Sequence, residues 1–311
     1  MSNIYNAEGD QHFEFCFLNF AFFMSRKLVS QLHPWLYTAC VETHRFKRSM
    51  ISVGRKIAEQ KSDALIAFKC FTHQSLLLRK LGDVDMRLQY NKIMNLKLAA
   101  EKINGVIIKP GETFSLWSLV GRPTAKKGYL EGMVLKDGEA KSDIGGGLCQ
   151  MANLLYWMVL HTPMTVTERH HHSFDAFPDS GRTLPFGSGA TIYYNHLDLQ
   201  FCNQTDKIFQ INVQVTDEHL KGEIRCSQEL EYGYHVIEKG HQYLFDAQQN
   251  KYFRTNSLWR EISDRKTGAF VKEEFIDSTF SLMKYQPPAD ANVELISQAV
   301  NQDIVPLLVG V

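Results

Sequence analysis

Gly145-Gly146-Gly147-Leu148-Cys149-Gln150 runs straight into Met151-Ala152-Asn153-Leu154-Leu155-Tyr156-Trp157-Met158-Val159-Leu160, and this stretch decides how the chain is read. Three successive glycines permit a backbone turn that side chains would block. The apolar run behind them is long enough for about three helical turns before Pro163 ends it. Because that run is apolar on nearly every face, the spacing predicts a helix buried in the middle of its domain. Cys149 then falls at the helix N-terminus, where unpaired amides and the helix dipole favour the thiolate. The glycines also leave room for a substrate to reach the sulfur. The alternative is a tight loop holding a packed core cysteine, since free Cys is among the most buried residue types.

With 311 residues, 44% of them hydrophobic and 22% charged, the chain can bury a full core, as one large domain with an appendage or as two domains. Its formal net charge of zero argues against a dedicated nucleic-acid binder. Cys16, Cys40, Cys70, Cys149, Cys202 and Cys226 are scattered without a CxxC pair, which suits reduced thiols better than a disulfide framework or zinc knuckle. The apolar run over 13–24 is too short for a bilayer, is interrupted by Glu14 and follows acidic Glu8 and Asp10, so it reads as a poor signal peptide. A cytoplasmic or peripheral-membrane location is therefore expected, with the cell envelope as the alternative.

From Arg26 to Lys61 eight basic residues stand against two acidic ones, with Leu28, Leu32, Trp35, Leu36, Val41 and Ile57 interleaved. The pattern predicts basic amphipathic helices broken at Pro34, a face that is solvated or that rests on anionic membrane or wall polymer. Helix is expected to continue over 63–104, ending at an Asn104-Gly105 cap. Val106-Ile107-Ile108 then reads as a buried strand and 113–120 as a second strand or loop. Glycines at 121, 128, 132 and 138 mark a loop-rich passage into the triple glycine. Beyond the Cys149 helix, 165–172 reads as a strand ending in His170-His171-His172, and 173–189 as a long irregular loop. Strands follow over 190–195 and 198–202. Phe209, Ile211, Val213 and Val215 alternate with polar residues as a half-buried antiparallel strand. From 232 to 285 aromatic-rich strands turn near Gly233, Gly240, Asn250 and Gly268, read as a hairpin extension of the same sheet.

A cysteine at a buried helix N-terminus, a histidine on the next strand and a polar residue further on follow the order of papain-like enzymes. Cys149 is the candidate nucleophile, His172 the base and Asp198 the group that orients the imidazole. Asp175 and Asp179 compete for that last role. Strand alternation puts His170 and His172 on one face and His171 on the other, so the run alone does not choose between them. A zinc site built from Cys149, His170 and His172 lacks any CxxC or HExxH spacing, and no metal or cofactor is expected.

The segments Asn95-Leu-Lys-Leu-Ala-Ala-Glu-Lys-Ile-Asn-Gly105, Pro110-Gly-Glu-Thr-Phe-Ser115, Val120-Gly121, Gly128-Tyr129 and Gly145-Gly-Gly-Leu-Cys-Gln150 follow one another in order. With Glu168-Arg-His-His-His-Ser173 and Asp198-Leu-Gln-Phe-Cys-Asn203, they resemble the VanW family over roughly 90–215. Leu32-His33-Pro34 and His73-Gln-Ser-Leu-Leu-Leu-Arg-Lys-Leu-Gly82 resemble its short form, which accompanies vancomycin-resistance clusters. The resemblance implies a bacterial cell-wall context and, for some members, cysteine-dependent L,D-transpeptidase chemistry on peptidoglycan stem peptides. It places the nucleophile on Cys149 and the family histidine, which precedes a serine, on His172. Longer members carry an Asp where this chain has Gly189, which passes the orienting role here to Asp198. In that chemistry Gly146, Gly147, Gln150 and His170 border the oxyanion and substrate, and no cofactor takes part. The partner implied is a peptidoglycan stem peptide or precursor. A non-catalytic accessory protein that binds the same precursors, or a resistance-pathway partner, is the rival expectation.

The expected architecture is α+β. An N-terminal extension (1–24) and a basic helical region (25–90) precede a mixed domain (91–230), in which the Cys149 helix packs on a mostly antiparallel sheet. A β-hairpin extension (231–290) and a tail (291–311) complete the chain.

Overall fold

The computed structural model describes residues 42–43, 54–78, 85–136, 139–171, 174–179 and 183–296. The apolar run over 13–24, the basic helices expected before residue 54, His172 and the tail beyond 296 lie outside the described residues, apart from residues 42–43, which are helical.

The molecule is a mixed α and β structure. Strand β1 (Phe68–Leu76) leads to helix α1 (Met86–Ile103), β2 (Val106–Ile108), β3 (Thr113–Ser115) and the short helix α2 (Leu116–Val120). Next come β4 (Glu131–Lys136), β5 (Glu139–Ile144), helix α3 (Cys149–Leu160), β6 (Thr165–Glu168) and β7 (Phe174–Asp175). The remainder is strand: β8 (Gln200–Cys202), β9 (Phe209–Val215), β10 (His219–Cys226), β11 (Tyr232–Asp246), β12 (Lys251–Asp264), β13 (Phe270–Met283) and β14 (Val293–Leu295). Among the described residues no helix is long and apolar enough to cross a membrane.

The central sheet has the order β1-β10-β9-β2, with every pairing antiparallel. Phe209, Ile211 and Val213 of β9, with Leu220 and Ile224 of β10, line the face covered by α1 and α3. On α3, Met151, Ala152 and every residue from Leu154 to Leu160 are buried, as an all-round apolar helix requires. Gly222 on β10 permits the close approach, because a Cβ there would lie 2.8 Å from Leu154 Cδ2. A small sheet of order β3-β8-β6 extends the core through Phe114 stacked on Phe201 at 4.5 Å.

Three expectations are corrected. The helix expected over 63–104 begins only at Met86, where Asp85 caps it by accepting from the Arg87 amide at 2.8 Å. Residues 68–76 are instead the edge strand β1, whose antiparallel partner β10 lies about 150 residues further along the chain. Second, 113–120 is a three-residue strand followed by a helical turn, because the Ser115 hydroxyl caps the Ser118 amide at 3.1 Å. Third, β11, β12 and β13 are three long strands of a separate sheet, ordered β14-β11-β12-β13-β7, rather than a hairpin extending the central one. Asn250 and Gly268 make its turns with positive φ, whereas Gly233 lies inside β11 and Gly240 sits at a register shift in the same strand. The loop-rich passage before the triple glycine holds the hairpin β4-β5.

Candidate functional site around Cys149

The glycine turn is shaped by its neighbours. Gly145 (φ 79°) and Gly147 (φ 90°) occupy left-handed backbone conformations. A Cβ on Gly145 would lie 2.7 Å from Pro123, one on Gly147 would overlap the Lys92 side chain, and one on Gly146 would overlap the backbone of Gly132 in β4. The space expected for a substrate at these three positions is therefore already filled. Fully buried Asn95 fixes the turn from α1, donating to Gly146 O at 2.9 Å and to Leu130 O at 3.0 Å while accepting from the Leu130 amide at 2.8 Å.

Cys149 stands at the first residue of α3, as expected. The amides of Gln150, Met151 and Ala152 bond to the carbonyls of Gly147 and Leu148 at 3.0–3.3 Å, so the first turn is largely satisfied within itself. The sulfur lies 4.0 Å from the Ile192 carbonyl. Burial pushes the thiol above its ordinary range, and backbone hydrogen bonding at Ile192 and at Cys149 itself offsets only part of this. Burial thus favours the thiol and opposes the thiolate expected from helix position.

Residues 187–192 pass beside Cys149, which is half-buried, and the Ile192 carbonyl is their contact with its sulfur. The Ala190 amide donates to Asn153 Oδ1 at 2.7 Å, one helical turn beyond Cys149, and the Thr191 amide donates to the His170 carbonyl at 2.7 Å. The strand β6 ends at Glu168, so the alternation predicted through His172 stops short of the histidine run. His170 Nε2 instead lies 3.0 Å from Glu168 Oε1, and that same oxygen accepts the Asp198 amide at 2.9 Å. The strand expected over 190–195 is instead irregular backbone with a turn closed by the Tyr193–Leu197 bridge, and hydrogen bonds link the Cys149 helix, this segment, His170, Glu168 and Asp198.

Asp198 precedes β8 and is buried. Its carboxylate accepts from Ser115 Oγ (2.6 Å), the Trp117 amide (3.1 Å), the Leu199 amide (2.9 Å) and Gln200 Nε2 (3.0 Å). Burial raises its pKa against these bonds, and nearby Glu168 adds to the rise. Gln150 turns to β1, donating to Ser75 Oγ at 2.9 Å and Leu76 O at 2.8 Å. Asp175 and Asp179 go to Arg254 of β12 at 3.3 and 2.7 Å, and Tyr285 donates to Asp175 at 2.6 Å. Among the described residues no three His, Cys, Asp or Glu side chains are grouped to hold a metal ion.

Sequence reasoning did not single out Glu168, Asn153 or Arg169. The first two had a signal: Glu168 stands two residues before His170, and Asn153 lies one helical turn from Cys149. Arg169 had none, because the Gly187 and Gly189 carbonyls it binds, with Asp277, are distant in sequence.

Comparison with known proteins follows the same residues. The model of the VanW family, described as VanW like protein, matches residues 91–225. The chain is 34% identical over 226 residues to the vancomycin B-type resistance protein VanW of Enterococcus faecalis (strain ATCC 700802 / V583), covering 72% of this chain and 82% of that one. It is 31% identical over 113 residues to the uncharacterized protein YoaR of Bacillus subtilis (strain 168), 35% of each chain. No solved structure matches it. A relative above 30% identity that spans most of both chains places the glycine turn, the Cys149 helix and the sheet beneath them in a known lineage: the chain belongs to the VanW family.

Proposed function

We propose that this protein contributes to vancomycin-type resistance by acting on peptidoglycan stem peptides or their precursors, with Cys149 as the nucleophile of acyl transfer or hydrolysis. The observation that carries the reading is the helix-terminal thiol beside an irregular segment whose Thr191 amide binds the carbonyl of His170, which lies against Glu168. The likeness to the enterococcal resistance protein supplies the cell-wall context.

Because the resting thiol is protonated, attack needs a base in place before the sulfur becomes reactive. Cys149 gives its proton to an imidazole of the His170–His172 run, and the sulfur forms a thioester with a peptide carbonyl. The imidazolium then returns the proton to the departing amine. A second amine releases the acyl group as a transpeptidation product, or water releases it by hydrolysis. His172 takes the base role by its match to the family histidine. Glu168 fixes the orientation of His170, and Asp198 acts through the amide that holds Glu168. Gly146, Gly147 and Gln150, expected to border the oxyanion, can do so only if their present contacts with Gly132, Lys92 and β1 give way.

A non-catalytic accessory role is favoured by one observation, the burial that keeps the thiol neutral under the Ile192 carbonyl. Incubation with a stem pentapeptide followed by intact-mass spectrometry separates the two. An acyl adduct that disappears in Cys149→Ala supports catalysis. Peptide binding unchanged in Cys149→Ala, with neither adduct nor turnover, overturns it.

A further inference from the structure

The segment beside Cys149 is fastened from three sides that share little sequence proximity. From below, Asn153 of α3 holds the Ala190 amide and His170 holds the Thr191 amide, both at 2.7 Å. From the side, the Arg169 guanidinium donates to the carbonyls of Gly187 and Gly189 and pairs with Asp277 of β13. Its side chain is only 6% exposed and lies over the Tyr156 ring of α3 at 5.0 Å. From above, Asn256 of β12 donates to the Phe186 carbonyl at 2.6 Å, and Gly187 packs so tightly on Thr279 of β13 that any Cβ would overlap it. The three-stranded arm β11-β12-β13 lies wholly beyond the family-matched residues 91–225, yet it supplies Asp277, Asn256 and Thr279 to the cover of the thiol.

The closed arrangement is also incompletely satisfied. Asn256 Oδ1, on a residue 1% exposed, and Thr191 Oγ1 are both buried with no hydrogen-bond partner. Buried polar atoms without partners are costly, and opening would let water or a bound peptide satisfy both. Strong latches beside unsatisfied atoms describe a segment with two competing arrangements rather than an inert loop.

We propose that residues 187–192 are a gate over Cys149, latched shut by the arm through Arg169–Asp277 and Asn256–Phe186, and that an extended peptide gains the thiol by displacing it. The inference rests on the Cys149 reading for its substrate. The latch itself is measurable on the intact protein without any turnover. Opening removes the Ile192 carbonyl from the sulfur and frees the amides of Ala190 and Thr191 as donors for a bound peptide. The arm thus acts as a positioning element for the thiol.

The test is iodoacetamide labelling of the full chain under native conditions, with each cysteine followed by peptide mapping. In the unaltered protein Cys149 labels far more slowly than in the urea-unfolded chain. Asp277→Ala and Asn256→Ala each speed labelling of Cys149 by roughly tenfold, since labelling follows the open population and each removes one latch, the partly exposed Asp277 or the buried Asn256. Glu273→Gln, which breaks the Lys239–Glu273 pair on the same arm away from that segment, leaves it unchanged. Buried Cys226 reports global unfolding. Acceleration at Cys149 with Cys226 unchanged supports the gate. Equal acceleration at both, or none in either latch variant, overturns it, as does unfolded-chain reactivity of Cys149 in the unaltered protein. Absence of an acyl adduct with stem peptide would remove the catalytic reading and leave these labelling results standing.

Discussion

Replacing Gly146 by alanine should be among the most damaging single-methyl changes in the molecule. Its φ is not in the left-handed region, so the cost is purely one of space. The added Cβ overlaps Gly132 O, C and Cα, all backbone atoms that no rotamer change can move. Relief requires the hairpin β4-β5 to shift away from the turn by about an ångström, and such overpacking costs about 1–3 kcal/mol. The same shift pulls Gly146 O from Asn95 Nδ2, a bond of 2.9 Å, and strains both Asn95 bonds to Leu130. Asn95 is 0% exposed, so a donor left unpaired there adds about 1–3 kcal/mol. The sum is about 2–6 kcal/mol, a large part of the stability of an ordinary domain. Urea unfolding followed by tryptophan fluorescence measures it. Gly268→Asn is the control, because it lies in open space in a conformation that asparagine tolerates, and it should change stability by less than about 1 kcal/mol. A Gly146→Ala protein within about 0.5 kcal/mol of the unaltered one would refute the claim that this glycine exists for close packing.

His161 is stacked on Phe71 at 3.8 Å, and its pKa is lowered from 6.5 to about 4, chiefly by burial, with His235 and His73 adding to the effect. The unfolded chain therefore binds a proton that the fold refuses between those two values, so stability is full above pH 6.5 and falls through that window as pH drops. His161→Phe should remove up to about 3 kcal/mol of this loss, seen by comparing urea midpoints at pH 7.5 and 4.5 in both proteins. Asp198→Asn keeps an acceptor for the Trp117 and Leu199 amides but sets an NH2 group against the donors Ser115 Oγ and Gln200 Nε2, and should cost about 1–3 kcal/mol in the same urea assay; an unchanged midpoint would show that the carboxylate is not needed there. Cys149 should alkylate with a pH midpoint above that of free cysteine, because burial raises its pKa, and a midpoint below free cysteine would refute the burial argument.

Elements whose signal is local were readable from the chain. The α3 run, the strand Val106–Ile108, the alternation of β9 and the Gly105 turn at φ 79° each depend on residues within one or two turns. β1 was misread because Leu76-Leu77-Leu78 carries no period, and its strand state comes from β10, far along the chain. The arm was placed in the wrong sheet for a related reason. Period-two alternation says that a strand has a buried face but not which sheet supplies its neighbour. At the site, the placement of Cys149 at a helix start was legible. The filling of the glycine space by Lys92, Pro123 and Gly132 was not, since all three come from other elements.

The sequence argument for a reactive Cys149 and the burial of that residue compete, and magnitudes decide between them. A helix N-terminus stabilises an anion by about 0.3–1 kcal/mol at the surface and up to about 2 in partly buried geometries. Here the first-turn amides are already spent on Gly147 and Leu148, which leaves that benefit near its lower end. Desolvation of a covered ion can shift a pKa by several units, and each unit corresponds to about 1.4 kcal/mol. Burial wins, and the thiol rests neutral. A nucleophile built this way is not activated by its helix. It becomes one only when something lifts the Ile192 carbonyl and brings an imidazole to the proton. The elements able to lift it are those already bonded to residues 187–192: Asn153, His170, Arg169 and, through Asp277, the arm. Any activity of the cysteine is therefore set by the arm and residues 187–192 as much as by the glycine turn that first drew attention to it.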